Sequence, residues 1–319
     1  MRSRAAAARL GALLGPCAAL LGSCAALLGS CAAGPTPAEG SGAAIVPAAS
    51  LPERERAAWE AWKKGGATWE LERERALADP VLARFLVDNL IRVLVKSYDR
   101  SAIARAGEAP GPFERAQADL VALAPNSAPV LARLVAVEDG IVAFLAADTL
   151  AQIGAPAVEP ALALLEEPAA ETRRRGAELL AGLPPAGDFE ARVVDALALR
   201  AAEDEAWIVR AQSLRTLGAR GAREAERGRH AALLSRALRD PDPTVVATAL
   251  EALGALGEPR AVPAVIDALA RAGAAGDPAA VRAAQAALGR LTGERGERDP
   301  AAWRRVWDQR GAELVRRRG

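Results

Sequence analysis

The residue types that most often carry out catalysis or bind metals are scarce in this sequence. His230 is the only histidine among 319 residues, so a histidine-based metal site is excluded. Ser235 and Asp240 follow it by five and ten residues on a predicted helix, where the three side chains point to different faces. This spacing argues against a Ser-His-Asp triad. We predict no catalytic residue, no metal site and no cofactor, and we interpret His230 as a partly exposed helical residue.

Four arginines near the starts of predicted helices are the candidates for contacting a partner. They are Arg173, Arg174, Arg210 and Arg282. A guanidinium group binds a carboxylate through two parallel hydrogen bonds, so these side chains could bind an acidic segment of another protein. The alternative is structural. An aspartate or glutamate lies near each of them in the sequence, and the arginine could bind a neighbouring turn instead.

The three cysteines all lie at the start of the chain, which leaves none for a disulfide in its body. They fall in the apolar run LGALLGPCAALLGSCAALLGSC, which follows the basic segment MRSRAAAAR as in a secretory signal. The motif LLGSC resembles the lipobox of bacterial lipoproteins, whose cysteine is lipidated. The resemblance implies lipidation at Cys31, because the sequence turns polar just after it. Cys24 is the alternative site, and secretion without a lipid remains a second alternative.

These features predict an exported protein of the bacterial cell envelope. Residues 1–30 form the predicted signal peptide, and residues 31–50, rich in Gly, Pro and Ala, form a disordered linker. A lipid at the linker's start would tether the protein to a membrane. The first thirty residues hold three arginines and no acid, so the rest of the chain is close to neutral. A nucleic-acid partner is therefore not predicted.

Most of the remaining sequence consists of short apolar segments between prolines and glycines. Only 3% of the residues are aromatic whereas 51% are hydrophobic, which favours closely packed helices. In DPDPTVVATALEALGALGEPRAVPAVIDAL, Asp242 can cap a helix that starts at Pro243 and ends before Gly257. A second apolar stripe starts at Val262. Two short helices joined by a tight turn are predicted, and neither is long enough to be stable alone.

The same pattern recurs along the chain. Asp277, Pro278 and Gly289 follow Asp242, Pro243 and Gly254 by 35 residues, and GAPAVEP from residue 154 is an earlier copy of GEPRAVP. This periodicity is typical of stacked helix pairs that share one core. The sequence resembles HEAT repeats, in particular the short type of phycobilisome lyases, in the segments VVATALEALGALGEPRAVPAVIDAL and VRAAQAALGRL. The resemblance implies an all-α fold, a right-handed α-solenoid of about five helix pairs over residues 125–293.

Helical caps are predicted at both ends of this array. Residues 51–124 form a nonrepetitive N-terminal cap, whose three tryptophans pack internally or, alternatively, form a belt at a membrane interface. Residues 294–319 form a C-terminal capping helix. Its Trp303 and Trp307 pack on the last repeat or, alternatively, form an exposed platform.

The predicted function is therefore protein binding. The protein is expected to be a non-enzymatic scaffold or adaptor that binds a partner protein through the solenoid surface. One alternative is a structural or assembly subunit of an envelope complex. Another is a lyase-like enzyme on the same scaffold, an idea that rests only on the resemblance to the phycobilisome lyases.

Overall fold

The computed structural model describes residues 52–98, 110–185, 187–220, 227–296 and 298–318. Within these ranges the regular secondary structure is helical, without a strand, so the predicted all-α fold is confirmed. The α-helices are α1 (Glu53–Lys64), α2 (Ala67–Ala78), α3 (Pro80–Lys96), α4 (Pro112–Ala122), α5 (Ala124–Val135), α6 (Gly140–Ile153), α7 (Val158–Leu164), α8 (Ala170–Gly182), α9 (Glu190–Glu203), α10 (Trp207–Arg220), α11 (Arg227–Arg236), α12 (Pro243–Leu256), α13 (Val262–Ala275), α14 (Pro278–Thr292) and α15 (Pro300–Arg318). Short 3-10 turns are Ala155–Ala157, Gly187–Phe189, Ala237–Arg239 and Pro259–Ala261.

Local capping signals set the ends of α12 and α14. The Asp242 carboxylate accepts hydrogen bonds from the first backbone N–H groups of α12, the nearest at 2.8 Å, and Asp277 does the same for α14 at 2.9 Å. Each helix has a proline at its first position, where a missing N–H costs nothing. Gly257 and Gly293 end the two helices with φ of 68° and 76°, a conformation that favours glycine. The caps predicted for Asp242, Asp277 and Gly257 are confirmed.

Successive helices pack as pairs that stack on one another. Contacts within the pairs join α5 to α6, α7 to α8, α9 to α10, α11 to α12 and α13 to α14. The second helices form a continuous row, because α8, α10, α12 and α14 each pack on the next. The predicted α-solenoid is thereby confirmed. Its buried side chains form one hydrophobic cluster that extends from Ala128 in α5 to Trp303 in α15.

The row of second helices is tightly packed because small residues face each other. A Cβ atom added to Gly218 of α10 would lie 2.8 Å from the Cβ of Ala252 in α12, closer than real Cβ contacts come. One added to Gly254 of α12 would lie 3.2 Å from the Cα of Ala287 in α14. Glycine and alanine at these crossings therefore let the helix backbones approach each other, as the scarcity of aromatic residues indicated.

Helices α1 to α4 share a separate hydrophobic cluster, which Leu145 of α6 joins. Trp62 and Trp69 are buried in it, at 6% and 5% exposure, and Trp59 stacks on Trp62 with ring centroids 4.7 Å apart. Internal packing of these tryptophans is thus confirmed for Trp62 and Trp69. In the described part of the chain, no helix combines the length and the apolar character needed to cross a membrane.

Helix α15 covers the other end by packing on α13 and on the turn Pro259–Ala261. Trp303 is fully buried, and its indole N–H donates to Oε1 of Gln285 in α14 at 2.7 Å. The guanidinium of Arg298 lies over the same indole at 4.9 Å. Trp307 is half-buried against the main cluster. The interpretation of both tryptophans as packing residues is confirmed, and an exposed Trp303 is not found.

Candidate interaction surface

Arg173 lies in α8 with only 6% of its surface exposed. Its guanidinium donates two hydrogen bonds to the carboxylate of Asp204, at 2.7 and 2.9 Å, and two more to the backbone carbonyls of Glu167 and Pro168. Asp204 follows the last turn of α9, so this arginine fastens one helix pair to the next. Its hydrogen-bonding capacity is directed into the protein.

Arg210 repeats this arrangement one pair further along. It donates to the Asp240 carboxylate at 2.8 and 2.9 Å, and also to the backbone carbonyl of Asp204 at 2.9 Å. The two arginines are 37 residues apart and the two aspartates 36. The arginine–aspartate link between helix pairs therefore recurs with the repeat. Both aspartates also accept a backbone N–H, from Ala206 and Asp242 respectively.

These contacts shift the pKa values of the four groups. Burial alone would raise the pKa of Asp204 and of Asp240. Each carboxylate, however, accepts hydrogen bonds from its arginine and from a backbone N–H and lies beside the guanidinium charge, and together these lower its pKa. The same hydrogen bonds raise the pKa of Arg173 and Arg210 against the opposing effect of burial. Each pair is therefore held in its ionised form.

Arg174 and Arg282 lie differently. Arg174 is half-buried on α8 and pairs within its own helix, with Glu171 at 2.8 Å and Glu178 at 2.9 Å. Hydrogen bonds from Arg174 and from Arg175 lower the pKa of Glu171 to about 2, although burial of the carboxyl group opposes this shift. Arg282 is exposed on α14 and forms no ion pair within the described part of the chain. Of the four predicted residues, it alone offers a guanidinium on the surface that is not already paired there.

Sequence reasoning missed two further arginines that fasten neighbouring pairs. Arg175 donates to the backbone carbonyls of Val135 and Val137 at 2.8 and 2.7 Å, which links α8 to the end of α5. Arg220, with a side chain only 2% exposed, pairs with Glu190 and also donates to the Leu180 carbonyl of α8. Their backbone partners lie about 40 residues away, and no local motif indicates such contacts.

A buried carboxylate in the N-terminal cluster was also missed. Asp119 of α4 accepts the indole N–H groups of Trp62 and Trp69, both at 2.9 Å, and lies 3.3 Å from the guanidinium of Arg73. The two tryptophans come from α1 and α2, so one carboxylate joins three helices. No local sequence signal indicates this contact, because Trp62 and Trp69 lie 57 and 50 residues before Asp119.

His230 is buried rather than partly exposed, with 3% of its surface accessible. It shares the inward face of α11 with Leu234 and the following Leu238, four and eight residues further on, and this periodicity outweighs the usual preference of histidine for a half-exposed position. Ser235 donates its hydroxyl to the Ala231 carbonyl, while Asp240 is paired with Arg210. Within the described residues, no group of three or more His, Cys, Asp or Glu side chains could hold a metal ion. Cys24 and Cys31 lie outside the described residues.

The first helices of the pairs carry exposed ion pairs that connect one pair to the next. These are Glu159–Arg192 and Glu166–Arg200 between the α7 region and α9, Asp195–Arg229 between α9 and α11, and Asp267–Arg304 between α13 and α15. Exposed pairs of this kind contribute little to stability. They do, however, neutralise the outer surface at each of these junctions.

The junction between α11 and α13 is built differently. Ala232 lies 37 residues after Asp195 and 35 before Asp267, so it occupies the position of the acid. Ala264 lies 35 residues after Arg229, so it occupies the position of the arginine. Two alanines therefore replace the ion pair at this junction. A groove of about 370 Å³ lies there, and both alanines line it. Turns make the contacts at this junction instead. Helix α11 contacts the turn Pro259–Ala261, and helix α13 contacts the turn Ala237–Arg239.

Comparison with known proteins places a repeat family on part of the chain. Residues 194–289, from within α9 to within α14, match the family model of HEAT repeats. The comparison with curated proteins gives no match.

Several solved structures of helical repeat proteins are similar to the chain. Kap121p aligns with 12% identity and a TM-score of 0.42, over 75% of this chain and 27% of Kap121p, so the chain spans about a quarter of that protein. A designed armadillo repeat protein aligns with 15% identity and a TM-score of 0.37, over 64% and 98%. The CpcE and CpcF complex of phycocyanin lyase from Nostoc sp. PCC7120 aligns with 19% identity and a TM-score of 0.32, over 90% and 100%.

Proposed function

We propose that this protein is a non-enzymatic scaffold or adaptor, which binds a partner protein through the surface of its solenoid. The observation that carries the proposal is the continuous row of α8, α10, α12 and α14, which repeats an exposed position at regular intervals. Glu178, Arg215 and Glu251 occupy this position on the first three helices and are all exposed. They alternate in charge at spacings of 37 and 36 residues.

The dimensions of such a row suit an extended partner. Packed helices lie about 8–10 Å apart, and an extended chain advances about 3.3 Å per residue. A partner that crosses the row would therefore place about one residue in three opposite each helix, where charges of alternating sign can fix its register. Each contact is weak alone, and the sum over several repeats provides the affinity.

A site-specific photocrosslinker tests this proposal. A photoreactive amino acid at Arg215 or Glu251, introduced into the full-length protein in its native host, should give discrete crosslinked protein products. Glu60, which is exposed on α1 outside the row, is the matched control position. One product would indicate a subunit of a complex, and several would indicate an adaptor. Equal products at the control, or none at the row positions, would contradict the proposal.

We also propose that the protein is exported and tethered to a membrane of the bacterial cell envelope. Support comes from the basic and apolar start of the sequence, the lipobox-like LLGSC motif and the Gly- and Pro-rich segment that follows. Intact mass of protein extracted from membranes should correspond to a chain that begins at lipidated Cys31, or at Cys24. Replacement of both cysteines by serine should release the protein from membranes, and continued fractionation with membranes would refute the lipid tether.

A further inference from the structure

The groove between α11 and α13 combines positive charge with an alanine, Ala232, at the position where α9 has Asp195 and α13 has Asp267. Arg236 at the end of α11, Arg239 in the turn after it and Arg271 on α13 all line the groove. None of the three forms an ion pair within the described part of the chain. Three guanidinium groups from two helices and a turn therefore border one opening.

The acid that lines this groove and the acid that follows its turn are both paired with other arginines. Asp267, which also lines it, pairs with Arg304 of α15 at 2.7 Å. Asp240, just after the turn, is engaged by both arms of the Arg210 guanidinium. The groove thus has an unbalanced positive charge in a chain whose overall charge is close to zero.

The three arginines line the same opening, and a hydrogen bond fixes one of them across it. Arg271 donates to the Leu238 carbonyl at 3.2 Å, which holds its side chain across the junction toward the turn that carries Arg239. A guanidinium with free N–H groups binds a carboxylate through paired, charge-assisted hydrogen bonds. The groove, of about 370 Å³ and open to solvent, has room for an acidic side chain between Ala232 and Ala264.

We propose that this groove binds an acidic segment of a partner protein, with an aspartate or glutamate side chain taking the place that Asp195 and Asp267 fill at the adjacent junctions. This inference rests on the proposed protein-binding function and specifies where on the solenoid, and with which chemistry, one partner docks. A polyanion such as nucleic acid fits less well, because the near-neutral chain supplies no broad basic surface.

Binding of a defined acidic peptide to the full-length protein tests the inference. The probe is a fluorescein-labelled peptide of alternating glutamate and glycine, and the measurement is fluorescence anisotropy at low salt. The double variant Arg236→Ala/Arg239→Ala should bind at least about tenfold more weakly than the wild type, since each charge-assisted bond contributes substantially. The matched control is Arg133→Ala/Arg290→Ala, which removes the same charge from two exposed arginines elsewhere and should bind within about twofold of the wild type.

A second variant blocks the groove without removing an arginine. Ala232→Asp places the missing carboxylate where the neighbouring junction has Asp195, so the chain's own acid should occupy the guanidinium groups and abolish peptide binding. Circular dichroism should show unchanged helix content, because residue 232 is exposed.

Four results would overturn the inference. Equal weakening in the groove variant and the control would show general charge attraction, and unimpaired binding by Ala232→Asp would place the peptide elsewhere. Displacement of the peptide by inorganic phosphate at much lower concentration than by free glutamate would identify a phosphate site instead. If the peptide fails to bind while the photocrosslinker at Glu251 still captures a protein, the groove inference fails and the proposed scaffold function stands.

Discussion

At the scale of single residues, neighbouring arginines of this protein have different structural roles. Arg173 and Arg174 are adjacent on α8, yet one side chain is 7% exposed and bound to Asp204, and the other is 27% exposed and bound to acids of its own helix. A buried charge that loses its partner is costly, whereas a surface ion pair contributes little. Arg173 is therefore a structural arginine, and Arg174 is a surface arginine.

Replacement of Arg173 by alanine should lower the free energy of unfolding by about 3 kcal/mol, because the buried Asp204 carboxylate would lose two hydrogen bonds and keep only the more distant Arg200, at 3.8 Å, as a counter-ion. Arg174→Ala should lower it by less than about 1 kcal/mol. Urea unfolding followed by circular dichroism measures both. Similar losses for the two variants would contradict the assignment of Arg173 to the link between helix pairs.

The same pair predicts a pH dependence. The pKa of Asp204 is lower in the fold than in the unfolded chain, where an aspartate titrates near about 3.9. Its contribution to stability is therefore complete above that value and is lost as the pH falls toward the folded pKa. Wild-type stability should therefore decrease as the pH falls below about 3.9. In Arg173→Met/Asp204→Asn the decrease should be shallower, and an equally steep decrease would show that this pair is not responsible.

Asp119 offers a separate test at the N-terminal end. Asp119→Ala should lower the free energy of unfolding by about 3 kcal/mol, because two buried indole N–H groups would lose their acceptor. Asp119→Asn should cost less, since its single amide oxygen still accepts one of the two indole N–H groups, which bind different oxygens of the carboxylate. Glu60→Ala, on the exposed side of α1, is the control and should change stability by less than about 0.5 kcal/mol. Urea unfolding followed by tryptophan fluorescence measures all three, and a loss for Asp119→Ala as small as the control's would contradict this role.

At the scale of helices, the fold depends on how closely the second helices of the pairs approach. The crossing of α10 and α12 has Gly218 against Ala252, and it leaves no room for a Cβ atom. Gly273 lies on α13, the first helix of its pair, and a Cβ atom added to it would have nothing within 4 Å. The two glycines therefore predict opposite effects for the same substitution.

Gly218→Ala should destabilise the protein by about 1–3 kcal/mol, since the added methyl group would force α10 and α12 apart. Gly273→Ala should stabilise it by up to about 1 kcal/mol, because alanine is the better helix former and meets no obstacle. Thermal unfolding of the two variants gives the comparison. Stabilisation by Gly218→Ala would show that the helices do not cross as closely as described.

The elements that could be predicted from the sequence are those with local signals. Asp242 and Gly257 delimit α12 through side-chain and backbone preferences that act within a few residues, and the 35-residue recurrence extended the prediction to α14. The contacts of Arg173, Arg220 and Asp119 could not be predicted in the same way. They join residues 30 to 57 positions apart, so only the stacked fold brings them together.

At the scale of the whole molecule, the described helix pairs depend on one another. One hydrophobic cluster runs from α5 to α15, and its side chains come from every pair between them. Short helices in water are marginal alone, so the stability of each pair comes mainly from the interfaces with its neighbours. A defect in one pair should therefore spread to the adjacent pairs and weaken with distance along the row.

Hydrogen–deuterium exchange on Leu253→Ala measures this dependence directly. Leu253 of α12 is fully buried, and its truncation should cost about 2–5 kcal/mol. Backbone protection should fall most in α12, clearly in its neighbours α10 and α14, and little in α1 to α4, which have their own cluster. Loss confined to α12, or an equal loss in every helix, would contradict a solenoid whose repeats are held by their nearest neighbours.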